Sequence, residues 1–368
     1  MNKKLLAMAI ATAVSIPVAA QADVTVYGRI QAEYNVEDQG GSSDSLQSVD
    51  DNAGQSRLGV KFKEKLGGGL TAFGKAEFRI DPADNSGSGT NKNATGVSGA
   101  LGQRDIFAGI KGSWGSVAAG SFHAPYKTAG GVKWDPWAAT HLQARRAGGM
   151  SGGAGIGGHN GFIRNAIYYT SPNVNGFQGR FAISPDETNS GANNGLNADN
   201  DYSLSLQYKN GPWHGIAAYN RNNQASGTSD ETLWKLGLRW HSGNHTVAGQ
   251  YESVNNASAS ASGTIPATSG NNYSPCSGCD ADIYWLNYQF KAGNNIFTVS
   301  YGMTDVNATG TNPDFNFDYW AAGIIHKFSK KTRIFGGYTR TDGDSDAAAS
   351  SRSANDRDAW TVGIRKDF

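Results

Sequence analysis

The sequence predicts an all-β protein: a transmembrane antiparallel β-barrel of 16 strands whose third external loop folds inward. Three observations predict it. Apolar and polar side chains alternate with a period of two from Asp23 to the C-terminus. The connections between these segments are by turns short and long. Past the N-terminal leader, no apolar run reaches the ~18 residues that a membrane-crossing helix requires.

The leader comes first in the chain. Lys3 and Lys4 form a basic start, Leu5 to Val18 is apolar, and Ala20-Gln21-Ala22 is a small-residue cleavage pattern. Residues 1–22 are therefore expected to be an export signal, removed so that the mature chain starts at Asp23. A single barrel domain is expected over 23–368.

The composition fits such a barrel better than a soluble domain. The chain is 38% hydrophobic and carries 49 Gly in 368 residues, near twice the usual ~7%. A barrel needs apolar side chains only on its lipid face, and its tight turns favour Gly. The formal charge is +1, falling to −1 once Lys3 and Lys4 are removed. A near-neutral chain excludes nucleic acid as a partner expected from charge.

The strands follow in order. In the first, Val24, Val26, Ile30, Ala32, Tyr34 and Val36 share one face, with Thr25, Tyr27, Arg29, Gln31, Glu33 and Asn35 on the other. Leu58, Val60 and Phe62 oppose Arg57, Lys61 and Lys63. Leu70, Ala72, Gly74, Ala76, Phe78 and Ile80 oppose Lys75, Glu77, Arg79 and Asp81. Ile106, Ala108 and Ile110 oppose Asp105, Phe107 and Lys111. The same pattern runs through 202–209, 234–241, 284–290 and 297–303. Seven short turns and eight long polar loops then join sixteen strands, the pattern of outer-membrane barrels. Aromatic residues near strand ends, among them Tyr27, Tyr34, Trp114, Tyr168, Trp213, Tyr219, Trp240, Tyr251, Tyr301, Tyr338 and Trp360, suit the membrane–water interface. At the C-terminus, Trp360, Val362, Ile364 and the last residue, Phe368, share one face.

One connection stands apart. After a short strand at 116–122 the alternation stops, and a Gly-, Trp- and base-rich segment runs from His123 to Gly161. A long irregular insertion in a compact domain is usually functional or disordered. We expect it to lie in the barrel lumen and narrow the pore.

Taken together, VTVYGRIQAEY, SRLGVKFKEKLGGGLTAFGKAEF, RDIFAGIKGSWGSVAAGSF, RNAIYYTSPNVNGFQGRF, FSKKTRIFGGYTR and TVGIRKDF give the mature chain a resemblance to the Gram-negative general porins. These are trimeric sixteen-stranded diffusion channels. The resemblance implies residence in the lipopolysaccharide-containing outer membrane, a homotrimer with three pores, passive passage of small hydrophilic solutes and ions, and no prosthetic group. It also implies that the loop after Phe122 sets the constriction. Arg57, Lys75 and Glu77 match inward-facing wall positions, and Asp135-Pro136 matches an acidic-Pro element of the inserted loop. Two departures bear on selectivity. Where such porins commonly carry Gly-Arg-Gln, this chain has Gly120-Ser121-Phe122. Its inserted loop has one carboxylate, Asp135, against Lys127, Lys133, Arg145 and Arg146.

Selectivity in a pore follows its diameter and its lining charges. The expected lining is Arg29, Glu33, Arg57, Lys75, Glu77, Arg79, Asp105 and Arg164 from the wall, with Lys61 beside them, and Lys127, Lys133, Asp135, Arg145 and Arg146 from the loop. The positive excess points to an anion-preferring channel. A substrate-specific channel for anions or sugars stays open as an alternative, given Trp134, Trp137 and Arg145-Arg146, and a structural or adhesive barrel ranks below it. Enzymatic chemistry finds no support: the seven His are scattered, and none stands in a G-x-S-x-G or H-E-x-x-H context. Cys276 and Cys279 are the only cysteines. In an exported protein they are expected to close a small loop disulfide. A metal site would need further ligands, and no His lies within twenty residues of them.

Overall fold

The computed structural model describes residues 22–39, 45–51, 56–80, 102–151, 161–185, 200–223, 230–257, 278–307, 314–343 and 357–368. The leader falls outside these residues up to Gln21. The strands are β1 (Asp23–Gln39), β2 (Leu46–Asp50), β3 (Arg57–Gly67), β4 (Leu70–Arg79), β5 (Gly102–Gly112), β6 (Gly115–His123), β7 (Phe162–Thr170), β8 (Phe177–Ser184) and β9 (Asp201–Asn210). They continue as β10 (Trp213–Asn222), β11 (Glu231–Ser242), β12 (His245–Asn255), β13 (Asp280–Ala292), β14 (Asn295–Asn307), β15 (Phe315–Lys327), β16 (Thr332–Gly343) and β17 (Arg357–Asp367). From β3 onward each strand pairs antiparallel with the next, and β17 returns to pair with β1. The sheet therefore closes, which leaves no edge.

Seventeen strands build sixteen wall positions because β2 and β3 share one. β2 pairs with β1 over Glu33–Glu37, and β3 pairs with it over Asp23–Arg29. Between them the Ser56 side chain bridges the ladder. Its Oγ accepts from the Gln31 amide at 3.0 Å and donates to the Gln31 carbonyl at 3.2 Å. The long connection that the sequence places after Val36 is thus not wholly a loop, since β2 within it extends the sheet.

The two faces are chemically distinct. Val26, Leu236, Leu286, Val299 and Val362 are exposed on the outer face, each with a polar or small neighbour turned the other way. A continuous apolar surface of this extent belongs in lipid rather than water. Rings meet edge-on or tilted along the outer face near the long-loop end. Trp234 packs on Tyr251 at 5.0 Å, and Tyr338 lies 4.9 Å from Trp320 and 4.7 Å from Trp360. Two aromatics assigned to this belt by their position near strand ends turn inward instead. The Tyr27 hydroxyl donates to Glu77, and Tyr168 packs against Phe122. Both lie on the parity of the polar face, where Glu77 holds Tyr27 and Phe122 of β6 packs on Tyr168.

The C-terminal residue completes the closure. Phe368 and Gly28 exchange backbone hydrogen bonds at 3.1 and 3.3 Å. Gly28 carries no Cβ because one would collide with the Phe368 ring. At the short turns Gly243 (φ +55) and Gly293 (φ +58) supply the left-handed backbone that a tight reversal requires.

An outer face immersed in lipid gives a depth-dependent cost for charge. Leu286→Lys, at the middle of β13, is expected to destabilise the barrel by about 2–4 kcal/mol, whereas Phe328→Lys at a turn costs at most about 1 kcal/mol. Denaturant unfolding in liposomes measures both, and equal costs at the two sites would contradict a lipid-facing β13.

Candidate functional site

The chain leaves β6 at His123 and returns at Phe162, and the Ala124 amide bonded to the Gly161 carbonyl ties the two ends at 3.2 Å. The intervening segment is less irregular than its composition suggests. Its described residues form three single-turn helices: α1 (Pro125–Thr128), α2 (Gly131–Trp134) and α3 (Ala144–Ala147). Pro125 suits the first turn of α1 because its missing N–H would find no helical partner there.

This segment is bonded to the inner face on strands far apart in sequence. The Tyr126 hydroxyl donates to Glu252 on β12 at 2.7 Å, and its amide donates to Ser203 on β9 at 3.0 Å. The Gly131 amide donates to Gln250 at 2.6 Å, and Ser151 donates to Glu252 from both its amide and its hydroxyl. Lys235 of β11 places its ammonium 4.1 Å from the Tyr126 ring centroid. On β15 the Tyr319 hydroxyl donates to the Leu142 carbonyl at 2.7 Å. Residues 139–141 reach the β1–β17 seam. There the His141 amide donates to Glu33 at 2.8 Å, the His141 ring meets Glu37 at 2.8 Å, Arg357 bonds Glu37 at 2.5 Å, and Gln31 donates to the Ala139 carbonyl.

Apolar contacts fill the space between these bonds. Tyr126, Trp134, Trp137, Leu142 and Met150 of the segment form one cluster with Ile216, Leu233, Trp285, Phe317, Tyr319 and Phe335 of the wall. Inner-face glycines make the seat. A Cβ at Gly302 would lie 2.6 Å from Gly149 Cα, one at Gly323 would press on Trp137, and one at Gly337 on Leu142. The main described core is therefore inside the barrel, between the segment and the β10–β16 wall.

The opposite wall carries charge. Glu77 is its hub, reached by Arg104 at 2.7 Å, Lys75 at 3.1 Å, Arg57 at 3.3 Å and the Tyr27 hydroxyl at 2.8 Å. Asp105 accepts from Lys75 at 2.5 Å and sits 2.6 Å from the His123 ring. Alternation brings Arg57, Lys75, Glu77 and Asp105 together, and the structure adds Arg104, Tyr27 and His123. Arg104 escapes a parity argument because it neighbours Asp105. A register shift between Ala76 and Phe78 sets two residues of β5 against one of β4, so both turn inward. The repeated-polar pair Arg104-Asp105 was the available signal.

The remaining expected residues divide. Arg29 bonds Asp367 at 2.7 Å on the inner face. Arg79 stands opposite Arg57 on β4. Lys133 is exposed on α2, and Arg145 lies half-buried on α3. Arg164 is exposed on β7 and joins none of these pairs. The Arg146 side chain and Cys276 lie outside the described residues, while Cys279 is buried and disulfide-bonded.

Burial also changes what the segment's charges are worth. Burial pushes the Asp135 carboxyl up to about 7, against opposing pulls from the Ala144 and Trp137 amides that donate to it at 3.0 and 2.9 Å and from the Arg145 charge. Burial, then Arg145, Arg104 and Lys133, drives the Lys127 amine well below its usual range. Burial beside Glu252 holds the Tyr126 hydroxyl protonated, as a donor.

Two outcomes follow for the segment. Gly302→Leu overpacks the seat by about 1–3 kcal/mol, so amide exchange at Gly148–Ser151 should speed roughly tenfold or more, with β12–β16 unchanged. Asp135 binds its proton more tightly folded than unfolded, so its contribution to stability declines as pH rises from ~4 to ~7 and then levels. In Asp135→Asn, thermal unfolding followed across that window should lose this component.

Comparisons with known proteins agree with the closed barrel. The sequence model of the family described as Gram-negative porin matches residues 6–346. The major outer membrane protein P.IB of Neisseria gonorrhoeae is 31% identical over 220 residues, 57% of this chain and 54% of that protein, so the aligned part spans about half of that relative. P.IB of Neisseria lactamica is 26% identical over 386 residues and the whole of both chains. Among solved structures, an anion-selective porin from Comamonas acidovorans superposes with a TM-score of 0.72 at 20% identity, covering 95% of this chain and 100% of its own. A Salmonella typhi OmpF complex with daunomycin gives 0.66 at 18% identity, covering 94% and 97%. The closed barrel, its polar inner face and the match over 6–346 show that the chain belongs to the Gram-negative porin family.

Proposed function

We propose that the protein is an outer-membrane channel through which small hydrophilic solutes and ions diffuse passively, with anions preferred. The passage runs between the seated segment 123–151, which narrows it, and the charged wall of β3–β8. The observation that carries the anion preference is an imbalance along the inner face. Glu33, Glu37, Glu77, Asp105, Glu252 and Asp367 are each engaged by a donor. Toward the short-turn end the same face presents Lys61, Lys63, Lys111, Lys209 and Lys291, all exposed. At ~0.15 M salt the Debye length is roughly 8 Å, so a narrow lumen lined this way keeps an attraction for anions. Buried Lys127 adds little to that field, so selectivity resides in the wall more than in the segment.

Three further features accompany this reading. Residues 1–22 direct export and are removed, Cys276 and Cys279 pair across the CSGC loop, and three copies assemble with closed symmetry in the lipopolysaccharide-bearing membrane. Support comes from the leader pattern, from disulfide-bonded Cys279 in a chain with two cysteines, and from the family.

Reversal potentials across a KCl gradient in planar bilayers test the selectivity. Wild type should favour chloride, and Lys61→Glu/Lys111→Glu should move the potential toward the cation side by more than Arg145→Ala/Arg146→Ala does. Cation preference in the wild type overturns the anion reading, and silent bilayers overturn the channel.

A further inference from the structure

The short-turn mouth of the lumen holds a group of arginines apart from the Glu77 and Asp105 cluster. Arg333 is the second residue of β16, and Arg365 lies three residues before the C-terminus on β17. They stand directly opposite each other in register. Like charges so placed repel, with Cβ atoms about 4.5–5.5 Å apart. On the next strand, Arg29 stands opposite Asp367. The three guanidiniums act on one another: Arg29 feels Arg365, Arg365 feels Arg333, and Arg333 feels Arg29.

One carboxylate serves two of them. Asp367 accepts from Arg29 at 2.7 Å and from Arg365 at 3.1 Å. Glu33, the other acid within reach of Arg333, is occupied by the His141 amide, Gln31 and Thr361. Arg57, also near, is held by Glu77. Arg333 itself makes no ion pair among the described residues, and its Nε is buried without a hydrogen-bond partner. A buried donor left open, beside a like charge in register, is an arrangement that an anion would complete.

We propose that Arg333, Arg365 and Arg29 form a binding site for a compact, multiply charged oxyanion of the phosphate class at the short-turn mouth of the pore. The guanidinium fork matches a tetrahedral oxyanion through paired N–H donors, which chloride cannot exploit. Two cationic forks facing across adjacent strands suit a ligand of charge two or more. The cluster faces the lumen, so its ligand arrives as a solute rather than as a lipid headgroup. The site rests on the open-channel reading for access from both sides, but not for its chemistry.

Equilibrium binding tests it independently of conduction. Inorganic pyrophosphate is titrated by calorimetry into the intact, detergent-purified protein at fixed chloride, with one ion bound per chain expected. Arg333→Gln should weaken binding roughly tenfold or more, the scale of a lost charged hydrogen bond. Lys209→Gln removes the same charge from the distant β9 and should weaken it less than about threefold. Unchanged heat-modifiable mobility shows that both variants are folded. Absent binding, or equal weakening in the two variants, overturns the site and leaves only a diffuse positive lumen. Chloride conductance measured on the same preparations reports on the channel separately: silent bilayers with intact pyrophosphate binding would refute the channel and uphold the site.

Discussion

A strand in lipid has no water to satisfy its backbone, so every N–H and C=O must meet another strand. That constraint governs this protein. It demands that β17 find β1, and the Phe368–Gly28 exchange carries the ladder to the last residue. Where the wall strand breaks between β2 and β3, the Ser56 hydroxyl takes over the duty of a backbone group at Gln31. Closure then fixes the division of side chains. One parity must suit hydrocarbon, and the other is left to hold whatever the interior needs.

The interior is not simply polar. A soluble protein packs apolar faces of separate layers together, and here the outer face is unavailable for that purpose. The segment 124–151 supplies the missing layer from within, seating Trp134, Trp137, Leu142 and Met150 against the wall. Glycines at 302, 323 and 337 make room for it. Polar bonds to Glu252, Gln250, Glu33 and Glu37 fix its position. The result is a lumen with a packed side and a charged side, and the charged side keeps its arginines and lysines close by sharing a few carboxylates.

Much of this is legible in the residues because a period of two has only two outcomes. Val24 to Val36, Leu58 to Phe62 and Leu70 to Phe78 place Arg29, Arg57, Lys75 and Glu77 on the inner face without further information. Parity fails where the ladder itself is irregular. The shift at Ala76/Phe78 turns Arg104 inward, and that opposite Gly120/Phe122 accompanies the exposed Arg164 on β7. It is also silent about which partner a charge meets, so Glu33 and Glu37 gave no hint that they bind His141. The segment's short helices escape notice because single turns carry no periodicity. Asp135 is held by the Trp137 and Ala144 amides of its own segment, and Lys127 lies over the Phe162 ring of β7, so the burial of neither is marked by a local period.

The bonds of His141 at the seam bear on how the barrel is made. Arg357 and His141 are 216 residues apart, yet they meet through Glu37 on the strand that closes the ring. Contacts of such sequence separation carry a large loop-closure entropy and form late. A segment already folded against β12–β16 would present His141 at the place where β1 and β17 must join. The ring closure would then be templated from inside, and the slowest pairing in the molecule would search along a prepared surface rather than through open solution.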